Sequence, residues 1–123
     1  MQWHYVLGLA YSIVLASIYG LGQLSPEFML VFSNILFPAT ALVCVMASFW
    51  TLQRYTAHNP RPPFSMAWVG FSTWLFMWFL GESTWAICVV ALRINPFPSL
   101  ADFFFLSGYV FLGLAFFLIF KLF

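Results

Sequence analysis

The chain has 123 residues, of which 64% are hydrophobic, 23% aromatic and only 6% charged. Soluble domains carry about 25% charged residues, so this composition excludes a water-soluble globular protein and predicts one that resides in a bilayer. The net charge of +1 comes without a basic cluster, which argues against nucleic acid and against anionic lipid headgroups as partners.

Four apolar runs are each near or above the roughly 20 residues that a helix needs to cross the hydrocarbon core of a bilayer. They lack the alternation of barrel strands. The sequence therefore predicts an all-α protein, a single domain over residues 1–123 in which four transmembrane helices form an up-down bundle. The runs comprise residues 3–24, 26–55, 64–93 and 99–123.

The first run is longer than the apolar region of a signal peptide, about 7 to 15 residues, and no basic segment precedes it, so we expect a retained helix. Small residues recur along it at every fourth position. Such a stripe lets a neighbouring helix backbone approach closely. We expect a contact within the bundle, with a surface for another chain as the alternative. The stripe consists of Gly8, Ser12, Ala16 and Gly20.

The second helix should begin at Ser25, Pro26 and Glu27, which supply an N-cap hydroxyl, a proline at the first position and an acid in the first turn. The loop before it is then very short, and the first two helices form an antiparallel hairpin. Pro38 should bend the second helix. Small residues at four-residue spacing share one face of it, namely Thr40, Cys44 and Ser48.

A proline-rich stretch, residues 55–64, predicts a non-helical connector at a membrane surface. Ser99 and Asp102 have the spacing of a capping box at the start of the fourth helix, whose Ser107, Gly108 and Gly113 suggest close packing. Three of the four basic residues lie on the side of both termini. By the positive-inside rule the protein is a multi-pass cell-membrane protein with both termini in the cytoplasm. The three are Arg54, Arg61 and Lys121, against Arg93 alone.

Glu82 is the residue most suggestive of function. It lies eleven residues before Arg93, or about 16 Å along a helix, close to the middle of the hydrocarbon core. Desolvation there favours the protonated carboxyl, and an ionisable group at this depth is a functional candidate. A hydrogen bond to a neighbouring helix, a partner subunit, proton transfer and ligand binding remain open. The residues expected at the same depth are Thr40, Tyr109, Tyr11 and Ser12.

Arg93 and Asp102 flank the predicted outer hairpin, where the turn could bring them together. Their pairing would either fix the hairpin or recognise an external partner. Cys44 and Cys88 differ too much in depth to form a disulfide. No nucleophile with its base, phosphate loop or cysteine cluster is present, and two isolated histidines indicate a metal or haem site only weakly. We therefore expect no enzyme activity and no cofactor.

A resemblance to known proteins rests on one segment. It reads Pro96-Phe97-Pro98-Ser99-Leu100-Ala101-Asp102, preceded by Gly81, Glu82 and Trp85 and followed by Tyr109. This segment resembles a repeated hairpin in the multi-helix membrane modules of archaeal and bacterial sensor proteins, which typically precede histidine kinases or diguanylate cyclases. Similar stand-alone membrane proteins occur in archaea, ammonia oxidisers included. The resemblance covers about thirty residues, and its matched positions imply a shared hairpin and no catalytic role.

The chain departs from the sensor pattern in having four helices and no output domain after Lys121. We therefore predict a small non-catalytic accessory or structural subunit of a larger integral membrane complex, with a membrane oxidoreductase, such as an archaeal membrane monooxygenase, as a possible host. The alternative is a stand-alone sensor module that works with a separate cytoplasmic partner. The expected partners are the lipid bilayer and other membrane subunits, and Glu82, Trp85, Arg93, Asp102, Tyr109 and the stripe of the first helix are the candidate contact residues.

Overall fold

The computed structural model describes residues 3–23, 25–58 and 62–122, and every regular element in these ranges is helical. Within them, four helices are long and apolar enough to cross a membrane. The predicted residues Leu24, Arg61 and Phe123 lie outside the described ranges. The elements are α1 (Trp3–Gly22), α2 (Pro26–His58), α3 (Pro62–Ala86), which continues as one π-helical turn (Ile87–Ala91), and α4 (Leu100–Leu122). The all-α prediction is confirmed.

The prediction of a non-helical connector over residues 55–64 is wrong at both of its ends. Helix α2 continues to His58, and α3 begins at Pro62. Thr56 donates its hydroxyl to the Leu52 carbonyl at 2.9 Å, and the His58 ring lies 2.9 Å from the Arg54 carbonyl. At the other end, prolines fit the first turn of α3, because amide protons there have no carbonyl partner within the helix.

The chain forms two compact units, Met1–Ser33 and Asn34–Phe123. In the first unit, a short turn joins α1 to the first turns of α2. The Ser25 amide donates to the Gly22 carbonyl at 3.0 Å, and the Ser25 carbonyl accepts from the Met29 amide at 3.1 Å. Tyr19 and Phe32 pack edge to face, 6.3 Å apart. The predicted start of the second helix is confirmed, whereas a single domain over residues 1–123 stays a prediction.

In the second unit, α3 packs along α4 through small residues. Ala67, Ala101 and Ala115 are 2% exposed or less. A methyl group added to Gly108 would lie 3.3 Å from both the Trp74 Cδ1 and the Met77 Cβ. The close packing predicted at Gly108 is therefore confirmed. At Gly113 the same prediction is wrong, because an added methyl group there would meet no atom within 4 Å.

Ser99 and Asp102 form the predicted capping box at the start of α4. The Ser99 amide donates to the Asp102 Oδ2 at 2.8 Å, and the Ser99 Oγ accepts from the Ala101 amide at 3.1 Å. Two amide protons that have no helical carbonyl partner are thereby satisfied. The hairpin before the box contains a buried Pro96 and a cis peptide bond between Phe97 and Pro98.

Arg93 ends the third helix by adopting a left-handed conformation, with φ of 53°. The Leu92 amide donates to the Ile87 carbonyl at 3.0 Å, and the Ile94 amide donates to the Cys88 carbonyl at 3.1 Å. These wide turns satisfy the last carbonyls of the helix. The turn could bring Arg93 and Asp102 together, but among the described residues no ion pair joins them, and the Asp102 carboxylate accepts the Ser99 amide.

Candidate functional site

Glu82 lies on α3 and is partly buried. Its carboxyl has a hydrogen-bond partner in the side chain of Trp78, one helical turn earlier. Side chains four residues apart on a helix are neighbours, and the indole N–H can only donate. The carboxyl therefore accepts this bond.

Trp78 is held in place by two aromatic residues of α4. Its ring centroid lies 4.9 Å from that of Phe105 and 6.0 Å from that of Tyr109, the latter at an interplanar angle of 82°. Edge-to-face pairs at such distances stabilise by about 0.5–1.5 kcal/mol beyond the area that they bury. Tyr109 thus contacts the ring of the residue that bonds to Glu82.

Gly81 provides the space for this arrangement. A methyl group added at Gly81 would lie between 2.5 and 2.8 Å from three ring atoms of Phe105. Any larger residue would displace that ring, and with it the contact between Phe105 and Trp78. The chain of contacts from Gly81 through Phe105 and Trp78 reaches Glu82, so the packing of α3 on α4 fixes the position of the carboxyl's partner.

A cavity of about 310 Å³ opens between α2 and α3 in front of Glu82. Aromatic and small apolar side chains form most of its wall, and Glu82 is its one ionisable carboxyl. The lining residues are Phe37, Thr40, Ala41, Cys44, Trp74, Leu75, Trp78 and Glu82. Cys44 and Cys88 are both free thiols, in agreement with the prediction that they do not pair.

The structure brings together some of the predicted site residues and separates others. Of the residues expected at the depth of Glu82, Thr40 lines its cavity and Tyr109 contacts the Trp78 ring. Trp85 is partly buried and does not line the cavity. Arg93 lies at the start of the outer hairpin in a left-handed conformation, and Asp102 caps the helix that follows the hairpin. The stripe of α1 is exposed at all four positions, Gly8, Ser12, Ala16 and Gly20.

Sequence reasoning looked for the partner of Glu82 on a neighbouring helix and missed Trp78. The four-residue spacing between them was the available signal. Trp74 and Phe37 were missed for another reason, because a count of depth along a helix does not give the rotation of a side chain about the helix axis. The sequence gives no indication of Phe105, because the position of its ring depends on the absence of a side chain at Gly81.

The cavity combines a carboxyl, an indole N–H and aromatic rings, and these groups could bind a small ligand. Within the described ranges, no three His, Cys, Asp or Glu side chains come together in a way that could hold a metal ion. Comparison of the whole chain with protein-family models, with curated proteins and with solved structures gives no match.

Proposed function

We propose that this chain is an integral membrane protein and serves as a small non-catalytic subunit of a larger membrane complex. Its described helices expose many large apolar side chains. Exposure of so much apolar surface to water would be unfavourable. Tyr5 is 80% exposed and Phe120 82% exposed, while most of the buried positions hold alanine, glycine or serine. Lipid is the solvent that suits this distribution.

The observation that supports a subunit is the open stripe of small residues on α1. Methyl groups added at Gly8 and Gly20 would meet no atom within 4 Å. The Ser12 hydroxyl donates to the Gly8 carbonyl at 2.9 Å, so it presents no unsatisfied group to an approaching helix. A stripe of this kind suits close contact with a second helix, and such a helix from another subunit would cover it.

The basic residues support an orientation with both termini in the cytoplasm. Arg54 lies over the Trp50 ring at 4.8 Å near the end of α2, and Lys121 lies over the Phe117 ring at 5.1 Å near the end of α4. Cations stacked on aromatic rings suit the interface between lipid and water. In an up-down bundle these two ends share one membrane face.

The test is native electrophoresis of the tagged chain after extraction of its own membranes in a mild detergent. We expect the chain to migrate with larger proteins. Ala16→Leu, which fills the stripe, should reduce that fraction. Ala10→Leu is the matched control, because six residues place it about 120° away around the same helix. Migration of the original chain alone, or equal behaviour of the two variants, would contradict the proposal.

A further inference from the structure

Glu82 is the one acidic side chain of this chain that does not lie in the first turn of a helix. The sequence has three acidic residues. Glu27 lies in the first turn of α2 and Asp102 in the first turn of α4, where negative charge complements the helix dipole. Glu82 instead lies in the body of α3, and no Lys or Arg occurs within ten residues of it. Among the described side chains, no ion pair involves Glu82.

The walls beside this carboxyl are aromatic. Trp74 and Trp78 have ring centroids 6.3 Å apart with their planes inclined at 59°, and Phe37 adds a third ring from α2. The negative face of an aromatic ring attracts a cation, most strongly for tryptophan, and the attraction grows when water is excluded. A carboxyl flanked by such rings recognises positive charge carried on an apolar body.

The cavity is large enough for a small ligand, and one of its walls is held by packing. Its volume of about 310 Å³ is at the lower end of the ~300–1,000 Å³ of small-molecule sites. Phe105 and Tyr109 hold Trp78 from the side of α4, so this wall is formed before a ligand arrives. A preformed site loses less free energy on binding than one that must be ordered.

We infer that the cavity between α2 and α3 binds a small lipophilic organic cation, an ammonium group with an apolar or aromatic substituent. A bound cation favours the ionised form of Glu82, which then supplies the opposite charge, and Trp74, Trp78 and Phe37 line the wall against the substituent. This inference is independent of the proposed subunit role, which concerns the surface of α1.

The test uses benzyltrimethylammonium as the probe and the purified full chain in uncharged detergent micelles, with calorimetry and tryptophan fluorescence as readouts. The uncharged carbon isostere, neopentylbenzene, has the same shape and lacks the charge. We expect saturable binding of one ammonium per chain and at least about tenfold weaker saturable binding of the isostere, because only the cation gains the charge and the ring attraction.

Glu82→Gln should weaken binding of the ammonium by at least about tenfold, since it removes the charge and keeps the size and hydrogen bonding of the side chain. The matched control is Glu27→Gln, which removes a charge from the exposed start of α2 and should change the affinity less than about twofold. Circular dichroism checks that both variants fold.

Three results would overturn the inference: absence of saturable ammonium binding, equal binding of the ammonium and its isostere, or equal affinity of the original chain and a folded Glu82→Gln. If Glu82→Gln does not fold, the comparison of the two probes on the original chain decides alone. The subunit proposal would be untouched by any of these results, because its test measures migration of α1 variants.

Discussion

Two glycines in the body of α1 and three glycines at the contact between α3 and α4 have opposite surroundings. Gly70, Gly81 and Gly108 each lie against a residue of the facing helix, so closely that an added methyl group would meet an atom within 3.3 Å. Gly8 and Gly20 have nothing within 4 Å of the same added group. The comparison teaches that a small residue makes a close helix contact possible, and that the contact also needs a facing helix whose side chains fit against it.

The largest effect is expected from Gly81→Ala, which would break the packed region. The new methyl group would meet the Phe105 ring at 2.5–2.8 Å, and inserting a methylene into a packed core costs about 1–3 kcal/mol. We expect roughly 2–3 kcal/mol of lost unfolding free energy, measured by denaturant titration in detergent. The emission of Trp78 should shift as well, because Phe105 supports its ring.

The matched control for Gly81→Ala is Gly113→Ala, the same chemical change at a position of α4 with no neighbour within 4 Å. Alanine favours the helix over glycine by about 1 kcal/mol or less, so this variant should be equally or slightly more stable. Equal destabilisation by the two substitutions would show that the clash with the Phe105 ring is not the cause of the loss at Gly81.

An intermediate effect is expected from Gly70→Ala. Its added methyl group would lie 3.2 Å from the Ala115 Cβ and 3.2 Å from the Phe111 carbonyl oxygen. The backbone atom cannot move aside as a side chain can, and we expect a loss of about 1–2 kcal/mol. Combining it with Ala115→Gly should restore part of the stability, because the two sites are in contact and their effects couple. Strict additivity in this double-mutant cycle would contradict the packing described for this pair.

The smallest effect, close to zero, is expected from Gly8→Ala and Gly20→Ala in the isolated chain. Each substitution adds a methyl group to an open surface, so the free energy of unfolding should change by less than about 0.5 kcal/mol. The same two variants should reduce migration with larger proteins in native extracts. A loss of stability comparable to that of Gly70→Ala in the purified chain would mean that the stripe packs within the chain, and the contrast between the two regions would be wrong.

Much of the fold follows from the sequence, because the length and polarity of an apolar run decide whether a helix can cross a bilayer. The ends of helices follow less well. The proline content of residues 55–64 predicts a non-helical segment, yet Pro62 is tolerated at the start of α3, and Thr56 and His58 bond back to α2. The left-handed turn at Arg93 gives no signal, since glycine or asparagine is the usual residue there.

The candidate site follows from the sequence in part. A lone acid inside a long apolar run identifies Glu82, and counting depth along helices finds Thr40 and Tyr109. The aromatic wall does not follow, because the rotation of each helix depends on side-chain packing between helices. Phe105 fits against Gly81, and this fit sets which face of α3 carries Trp78 toward α4. Composition and spacing do not contain that information.

The most direct test of the subunit role is photo-crosslinking in intact native membranes, with a photoreactive amino acid placed at Ser12 or at Val14. These positions lie two residues apart on α1 and so face directions about 160° apart, and both are exposed. We predict a protein adduct of one discrete mass from position 12, identified by mass spectrometry, and none from position 14. Adducts with lipid alone from both positions would contradict the account.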